Sequence, residues 1–127
     1  MRVMLPIVAL SLAGCQPAAL APVGSGDPLG RELAGRVAGQ PQSCISTFSN
    51  QGFQVIDGAT IAYDLGRVYW VNRLQQACPS LSPHNLVIVE RSGTQLCRGD
   101  RIRSQEPGSS IPGPSCSLND WVPYRQR

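Results

Sequence analysis

The chain has 127 residues, with eleven Arg, eight acidic residues, no Lys and a net charge of +3. This length suits a single domain. Because the arginines are scattered and largely balanced by acids, we expect no nucleic-acid partner. The small positive excess is compatible with a protein or an anionic envelope component as partner.

The N-terminus predicts export. Residues 3–13 are almost wholly apolar and too few to span a bilayer as a helix. They lead into Leu12-Ala13-Gly14-Cys15, which resembles the lipobox of bacterial lipoproteins. The resemblance implies removal of residues 1–14 as a signal peptide and lipidation of Cys15, and two or three acyl chains anchor a protein firmly. An ordinary signal peptide with an incidental Cys is the alternative.

The residue after Cys15 bears on location. In enterobacterial lipoproteins an Asp at that place retains the protein in the inner membrane, and this chain has Gln16. The resemblance therefore implies an outer-membrane lipoprotein that faces the periplasm. The periplasmic face of the inner membrane and the cell surface stay open as alternatives.

Residues 15–42 are predicted to be the lipidated Cys and a flexible tether. The early part is rich in Pro, Ala, Gly and Ser without periodicity, and such a composition buries no core. Leu29, Leu33 and Val37 then recur every four residues, which favours a short helix within residues 29–38. The folded domain is predicted to cover residues 43–127.

The most strongly patterned stretch is a predicted β-hairpin. Ile61, Tyr63 and Leu65 alternate with polar or small residues, and a β-favouring run, residues 68–71, follows. Gly66-Arg67 between them suits a two-residue type II′ turn. Trp70 is predicted to lie in the core, opposite the closing segment with Trp121 and Tyr124.

Other short runs have strand character and are bounded by turn residues. They cover residues 44–48, 53–56, 86–90, 95–105 and 116–124. Five or six short strands predict a mainly β fold, either a small antiparallel barrel or a sandwich.

Several stretches between residues 33 and 124 carry a second resemblance. They are Ala34-Gly35-Arg36-Val37-Ala38-Gly39, Cys44-Ile45, Ile56-Asp57-Gly58, Tyr69 with Val71-Asn72-Arg73, Leu96-Cys97-Arg98-Gly99-Asp100, and Cys116 with Trp121-Val122-Pro123-Tyr124. On these residues the chain resembles a group of small uncharacterised exported proteins and lipoproteins of sphingomonad-type alphaproteobacteria. The resemblance implies a shared domain and an exported location, but no particular activity.

Four Cys follow Cys15, and an even number in a small exported domain predicts two disulfides. A four-Cys zinc site is the alternative, but no pair has the short spacing typical of such sites. In an antiparallel meander, Cys44 and Cys97 would lie at one end of the sheet and Cys78 and Cys116 at the other. The pairing Cys44–Cys97 with Cys78–Cys116 is therefore favoured.

No pattern predicts a catalytic residue, a cofactor site or a metal site. His84, the only His, lies in a predicted loop with no partner indicated for acid–base catalysis. Arg98-Gly99-Asp100 spells the integrin-binding tripeptide, for which a strand bulge at Gly99 is the structural explanation. The candidate carboxylates are first explained as turn formers or polar strand residues. They are Asp57, Asp64, Glu90, Asp100 and Asp120.

One candidate binding surface remains, a basic and aromatic face. It would comprise Tyr69, Arg73, Arg98, Arg101 and Arg103. Such faces bind nucleic acid on some small barrels, but in an exported protein an anionic glycan, a lipid headgroup or a protein is the expected partner.

Together these features predict a lipid-anchored envelope module that binds a protein or envelope component without catalysis. A sharper form of this hypothesis is a hydrolase inhibitor that presents the Pro-rich loop of residues 107–114. The alternative is a small periplasmic hydrolase that uses carboxylates from separate strands. The oligomeric state is left open.

Overall fold

The computed structural model describes residues 27–47, 52–91 and 93–127. The predicted signal peptide, Cys15 and most of the predicted tether lie outside these residues. The described part forms one short helix and ten short strands, and every strand pairing is antiparallel, so the predicted mainly β fold is confirmed. The elements are α1 Pro28–Leu33, β1 Arg36–Ala38, β2 Cys44–Ser46, β3 Phe53–Asp57, β4 Thr60–Asp64, β5 Val68–Arg73, β6 Leu86–Glu90, β7 Gln95–Cys97, β8 Arg101–Gln105, β9 Cys116–Ser117 and β10 Trp121–Gln126.

The strands form three sheets. The largest has five strands in the order β1-β10-β5-β4-β3, a second has the order β6-β8-β9, and the third pairs β2 with β7. There are more strands than predicted because two predicted runs, residues 95–105 and 116–124, each divide in two, and because residues 36–38 form an additional strand. Residues 95–105 form β7 and β8, which belong to different sheets and are separated by a turn at Gly99 with a φ of 88°.

The predicted hairpin is β4–β5, with Tyr63 opposite Trp70. Its loop is the predicted two-residue loop Gly66-Arg67: the Leu65 N–H donates to the Val68 carbonyl at 3.0 Å across it, and Gly66 has the positive φ, 78°, of the first loop residue. The Arg67 N–H also donates to the Leu65 carbonyl at 3.0 Å, which adds a γ-turn at Gly66. The Asp64 carboxylate also accepts a hydrogen bond from the Gly66 N–H at 2.7 Å, so the Asp before the Gly stabilises the bend.

The segment predicted to be tether contributes two elements to the fold, and the predicted helix is shorter than expected. Asp27 caps α1 by accepting from the Leu29 N–H at 3.1 Å, and Leu29 is buried. The helix ends at Leu33, and Gly35 turns the chain with a φ of 74°. Residues 36–38 then pair with β10 as a strand. The folded unit therefore includes residues 27–42 and begins before residue 43.

Alternation along β4 and β5 gives the five-stranded sheet two buried faces. One face contributes Tyr63 and Trp70 to the larger core cluster, where residues of the other two sheets join them, among them Leu96 and Ile102. The opposite face contributes a smaller cluster that α1 covers, consisting of Leu29, Ala62, Tyr69 and Val71. Trp70 lies in the core with Trp121, as predicted, whereas Tyr124 packs against the smaller cluster.

The described residues contain two disulfides, Cys44–Cys97 and Cys78–Cys116, the two pairs that the sequence favoured. Cys44 and Cys97 are direct partners in the β2–β7 ladder, with their Cα atoms 4.0 Å apart. Cys78 joins the loop before β6 to Cys116 in β9. No helix in the described parts of the chain is long and apolar enough to cross a membrane.

Candidate functional site

Tyr69 is an interior residue and not part of a binding surface. Its side chain is fully buried in the smaller cluster, and its hydroxyl donates to Gln54 Oε1 at 3.0 Å. Burial raises the pKa of Tyr69 to about 12, the Glu32 and Asp64 carboxylates add to the rise, and Arg36 opposes it. The prediction of a surface role for Tyr69 is therefore wrong, because α1 covers the face on which it lies.

The four arginines of the predicted surface divide between the sheets. Arg73 ends β5 in the five-stranded sheet, whereas Arg101 and Arg103 lie on β8. Two of the four are ion-paired: Arg98 NH1 lies 3.2 Å from an Asp120 carboxylate oxygen, and Arg103 Nε lies 2.7 Å from Glu90 Oε1. They do not form the single basic and aromatic face that the sequence predicted.

The Arg98-Gly99-Asp100 tripeptide forms the turn between β7 and β8 and not a strand bulge. Asp100 accepts a hydrogen bond from the Cys97 N–H at 2.7 Å, and Arg98 is paired with Asp120. Both charged side chains thus have structural partners within the domain.

The remaining titratable side chains named from the sequence have local roles. Asp57 accepts from the Ala59 N–H at 2.8 Å in the turn before β4, and His84 is exposed in the loop before β6. Among residues 27–47, 52–91 and 93–127, no group of three or more His, Cys, Asp or Glu is placed to hold a metal ion. The carboxylates of the described region mainly cap turns or pair with arginines.

A groove of about 870 Å³ lies between β3 and β6. Seven of its ten lining residues have apolar side chains, and the others are two amides and Arg91, but polar atoms make up slightly more than half of the surface that the lining exposes. The lining residues are Phe53, Gln54, Val55, Pro83, Asn85, Leu86, Val87, Ile88, Val89 and Arg91. Neither His nor a carboxylate is among them, so the groove has the character of a binding site and not of an acid–base site.

Both walls of the groove are sheet edges. β3 is the last strand of the five-stranded sheet, and β6 is the first strand of the three-stranded sheet. Within the described residues neither strand has a second strand partner. Each edge therefore presents backbone groups that the ladders leave unpaired.

The hydrogen-bond phase of the β3–β4 ladder identifies the free groups of β3. The Asp64 N–H donates to the Gly52 carbonyl at 3.0 Å, so residues 52 and 64 form a hydrogen-bonded pair. Because such pairs alternate in an antiparallel ladder, Gln54 bonds to Ala62. The N–H and C=O groups of Phe53 and Val55 therefore point away from β4, toward the groove.

The free backbone groups of β6 follow from the pairing of β8 with β9. The Leu118 N–H donates to the Asp100 carbonyl at 2.9 Å, which fixes the phase of β8 against β9 and directs the backbone of Arg101 and Arg103 toward β6. Their partners there are Glu90 and Ile88. The N–H and C=O groups of Val87 and Val89 consequently point away from β8, at the free edge of β6.

The sequence reasoning identified both wall strands but missed the groove. Residues 53–56 and 86–90 were predicted as strands from their composition. A strand pattern does not specify which edge stays unpaired or which edges face each other, because sheet order is decided by pairings between residues distant in the sequence. Arg91 had no distinguishing signal in the sequence.

No protein-family model, no curated protein and no solved structure matches this chain. The groove and the sequence features of the N-terminus are therefore the features of this chain that bear on its function.

Proposed function

We propose that the protein is a non-catalytic, lipid-anchored module of the bacterial envelope that binds a protein or envelope component through the groove between β3 and β6. The lipobox around Cys15 supports the anchor and the exported location, with the outer membrane facing the periplasm as the proposed site. Membrane attachment through the lipid and one partner in the groove are its interactions. No cofactor, metal or nucleic acid is part of the proposal.

The observation that carries the proposal is the combination of apolar walls and unpaired backbone groups in one groove. Apolar side chains supply binding free energy by burial, and backbone donors and acceptors fix the orientation of what binds. Hydrolysis would need a nucleophile or a general base at the same place. The described lining offers neither, so the periplasmic hydrolase has less support than the binding module.

Site-specific photocrosslinking in intact host cells tests the proposal. Benzoylphenylalanine at Leu86, which lines the groove and is 61% exposed, should give a specific adduct with a protein or envelope component. The matched control is Val37, which is 46% exposed on β1 at the opposite edge of the five-stranded sheet. The proposal is wrong if position 86 gives no adduct, or the same adducts as position 37.

A second candidate function is inhibition of a hydrolase by the loop of residues 107–114. The specific observation is Ile111, which is 78% exposed at a point where the loop is fixed from both sides. The Gly113 N–H donates to the Ser104 carbonyl at 2.7 Å, the Ser109 N–H donates to the Glu106 carbonyl at 3.0 Å, and the Cys78–Cys116 disulfide follows. A fixed loop with an exposed apolar residue can fill the specificity pocket of an enzyme at low entropic cost.

Activity-based labelling tests this candidate. The protein should reduce fluorophosphonate labelling of a serine hydrolase in envelope extracts, and Ile111→Asp should abolish the reduction. Leu65→Asp, at an exposed position in the β4–β5 turn, is the matched control and should behave as wild type. If Ile111→Asp reduces labelling as much as the wild-type protein does, the loop is not the inhibitory element.

A further inference from the structure

Resting on the proposed function, we infer that the groove receives an extended peptide segment of a partner protein as an added β-strand. This segment pairs with β3 on one side and with β6 on the other, and it carries an acidic side chain where it reaches Arg91. A strand in this position joins the five-stranded and three-stranded sheets into one.

The two edges at the groove differ from the other free edges of the described sheets. Natural sheets protect their edges by keeping edge strands very short. β1, β2 and β7 each have three residues and β9 has two, whereas β3 and β6 each have five. The two longest edge strands of the described sheets thus lie on either side of the same groove.

The length and the exposed groups define the ligand. Five strand residues extend about 17 Å, which matches a peptide of about five residues. Phe53 and Val55 on one wall, and Val87 and Val89 on the other, each offer one N–H and one C=O group. An added strand has free groups on both of its edges and can bond to all four residues at once.

The side chains of the same four residues indicate what the peptide carries. Phe53, Val55, Val87 and Val89 all pack against the larger core cluster, so the base of the groove continues the core. Alternate residues of an added strand point toward that base. The peptide therefore has apolar side chains at alternate positions, preferably β-branched or aromatic ones that suit a pleated surface.

Charge complementarity supplies the acidic residue. Arg91 is the one charged residue of the groove lining, and it follows directly after β6. Its NH1 atom donates to Thr47 Oγ1, which holds the side chain against the buried Thr47. A guanidinium has five N–H donors, so Arg91 retains donors for a carboxylate.

A peptide segment fits this geometry better than a second copy of the domain does. Each edge strand of the described sheets already has a partner on one side, so a second copy could pair with only one wall of the groove. A segment outside any sheet has both edges free and can satisfy both walls. The occupant is therefore an unpaired, extended stretch of another protein.

Peptide selection is the first test. The probe is a library of random heptapeptides displayed on phage and selected on the full-length protein. Enriched sequences should alternate apolar and polar residues and contain Asp or Glu. A selected peptide is then synthesised in two methylated forms, one with N-methyl groups at its odd-numbered residues and one with N-methyl groups at its even-numbered residues. Either methylated form should bind about tenfold more weakly, or worse, because both edges of the peptide form hydrogen bonds.

Backbone variants locate the site. Val87→Pro removes an N–H that points away from β8, a position where an edge strand tolerates Pro. It should weaken binding of the selected peptide by about tenfold or more. The matched control is Ala38→Pro on β1, at the opposite edge of the five-stranded sheet. Because the Gly39 N–H donates to the Pro123 carbonyl, the backbone N–H and C=O groups of Ala38 point away from β10, to the free edge of β1. That variant should bind as wild type. Arg91→Glu should select peptides that lack acidic residues.

Amide hydrogen exchange on the wild-type protein tests whether the peptide pairs with both strands, and this test holds even if Val87→Pro reduces folding. Addition of the selected peptide should slow exchange about tenfold or more at residues 53, 55, 87 and 89, and leave residue 38 unchanged. No enrichment of peptides, protection of only one wall, or no protection at these four amides overturns the inference. If an adduct still forms from position 86, the proposed binding function stands and its ligand is not an added strand. If position 86 gives no adduct, the proposed function itself fails.

Discussion

Replacement of Trp70 by Ala should remove a large part of the folding free energy. The side chain is 8% exposed and belongs to the larger core cluster. Its strand is paired on both sides, with Tyr63 and Pro123 directly opposite. Trp→Ala at a core position costs about 3–5 kcal/mol. Because a small domain has about 5–15 kcal/mol of stability in total, this substitution should leave the oxidised protein folded but close to its limit.

Urea unfolding followed by far-ultraviolet circular dichroism measures the effect. At a slope of about 2 kcal/mol per molar urea, a loss of about 4 kcal/mol lowers the midpoint by about 2 M. Leu65→Ala is the matched control: this side chain is 43% exposed in the hairpin turn, and its midpoint should fall by less than about 0.5 M.

Reduction of the two disulfides should turn the difference in stability between Trp70→Ala and Leu65→Ala into a difference in the fraction of folded protein. The disulfides close loops with sequence separations of 53 and 38 residues. Each stabilises the folded state by about 2–4 kcal/mol, because it restricts the conformations of the unfolded chain. Reduced Trp70→Ala should therefore be largely unfolded without urea, whereas reduced Leu65→Ala should match reduced wild type. The reasoning is refuted if the Trp70→Ala midpoint stays within about 0.3 M of wild type in both redox states.

Three further predictions concern the anchor, a buried phenol and a packed loop. Cys15→Ser should abolish metabolic labelling with an alkyne fatty acid, and persistent label would contradict the lipobox. Tyr69 has a pKa of about 12 when folded and about 10 when unfolded, so its contribution to stability, on the order of 2–3 kcal/mol, is present below pH 10 and lost between pH 10 and 12 as the unfolded phenol ionises first. Tyr69→Phe should remove that part of the pH dependence in urea titrations, and an unchanged profile would contradict the assignment. Gly113→Ala places a Cβ atom 2.7 Å from Ser80 Cβ and should lower stability by about 1–3 kcal/mol, whereas Ser110→Ala in the same loop should be neutral by thermal unfolding.

Local signals accounted for much of the fold. β6 has the predicted bounds of residues 86–90, because the apolar run Leu-Val-Ile-Val, which ends in Glu90, is bounded by loop residues on both sides. The turn at Asp57-Gly58 separates β3 from β4 as expected. Each of these features is determined by residues that are adjacent in the sequence, so a local sequence pattern is enough to predict it.

The errors arose where distant residues decide the outcome. A four-residue spacing through Val37 favoured a helix, but Gly35 ends it early, and residues 36–38 find backbone partners in β10 near the other end of the chain. Because residues 27–42 were assigned to a tether, nothing was available to cover the outer face of the hairpin. Without that cover the sequence predicts Tyr69 on the surface, whereas in the structure Leu29 of α1 covers the cluster in which Tyr69 lies.

This same coverage explains why recognition should take place at edges. The five-stranded sheet has α1 on one face and the larger core on the other, so its central strands β4 and β5 have little side-chain surface left for a partner. On this sheet, what remains available to a ligand is the rim, where backbone groups are unpaired. The groove, with a volume of about 870 Å³, brings two such rims together above an apolar base. A ligand that supplies only side chains would leave those backbone groups without partners. A ligand that supplies a strand forms hydrogen bonds with the backbone groups of both rims and covers the apolar base with its side chains.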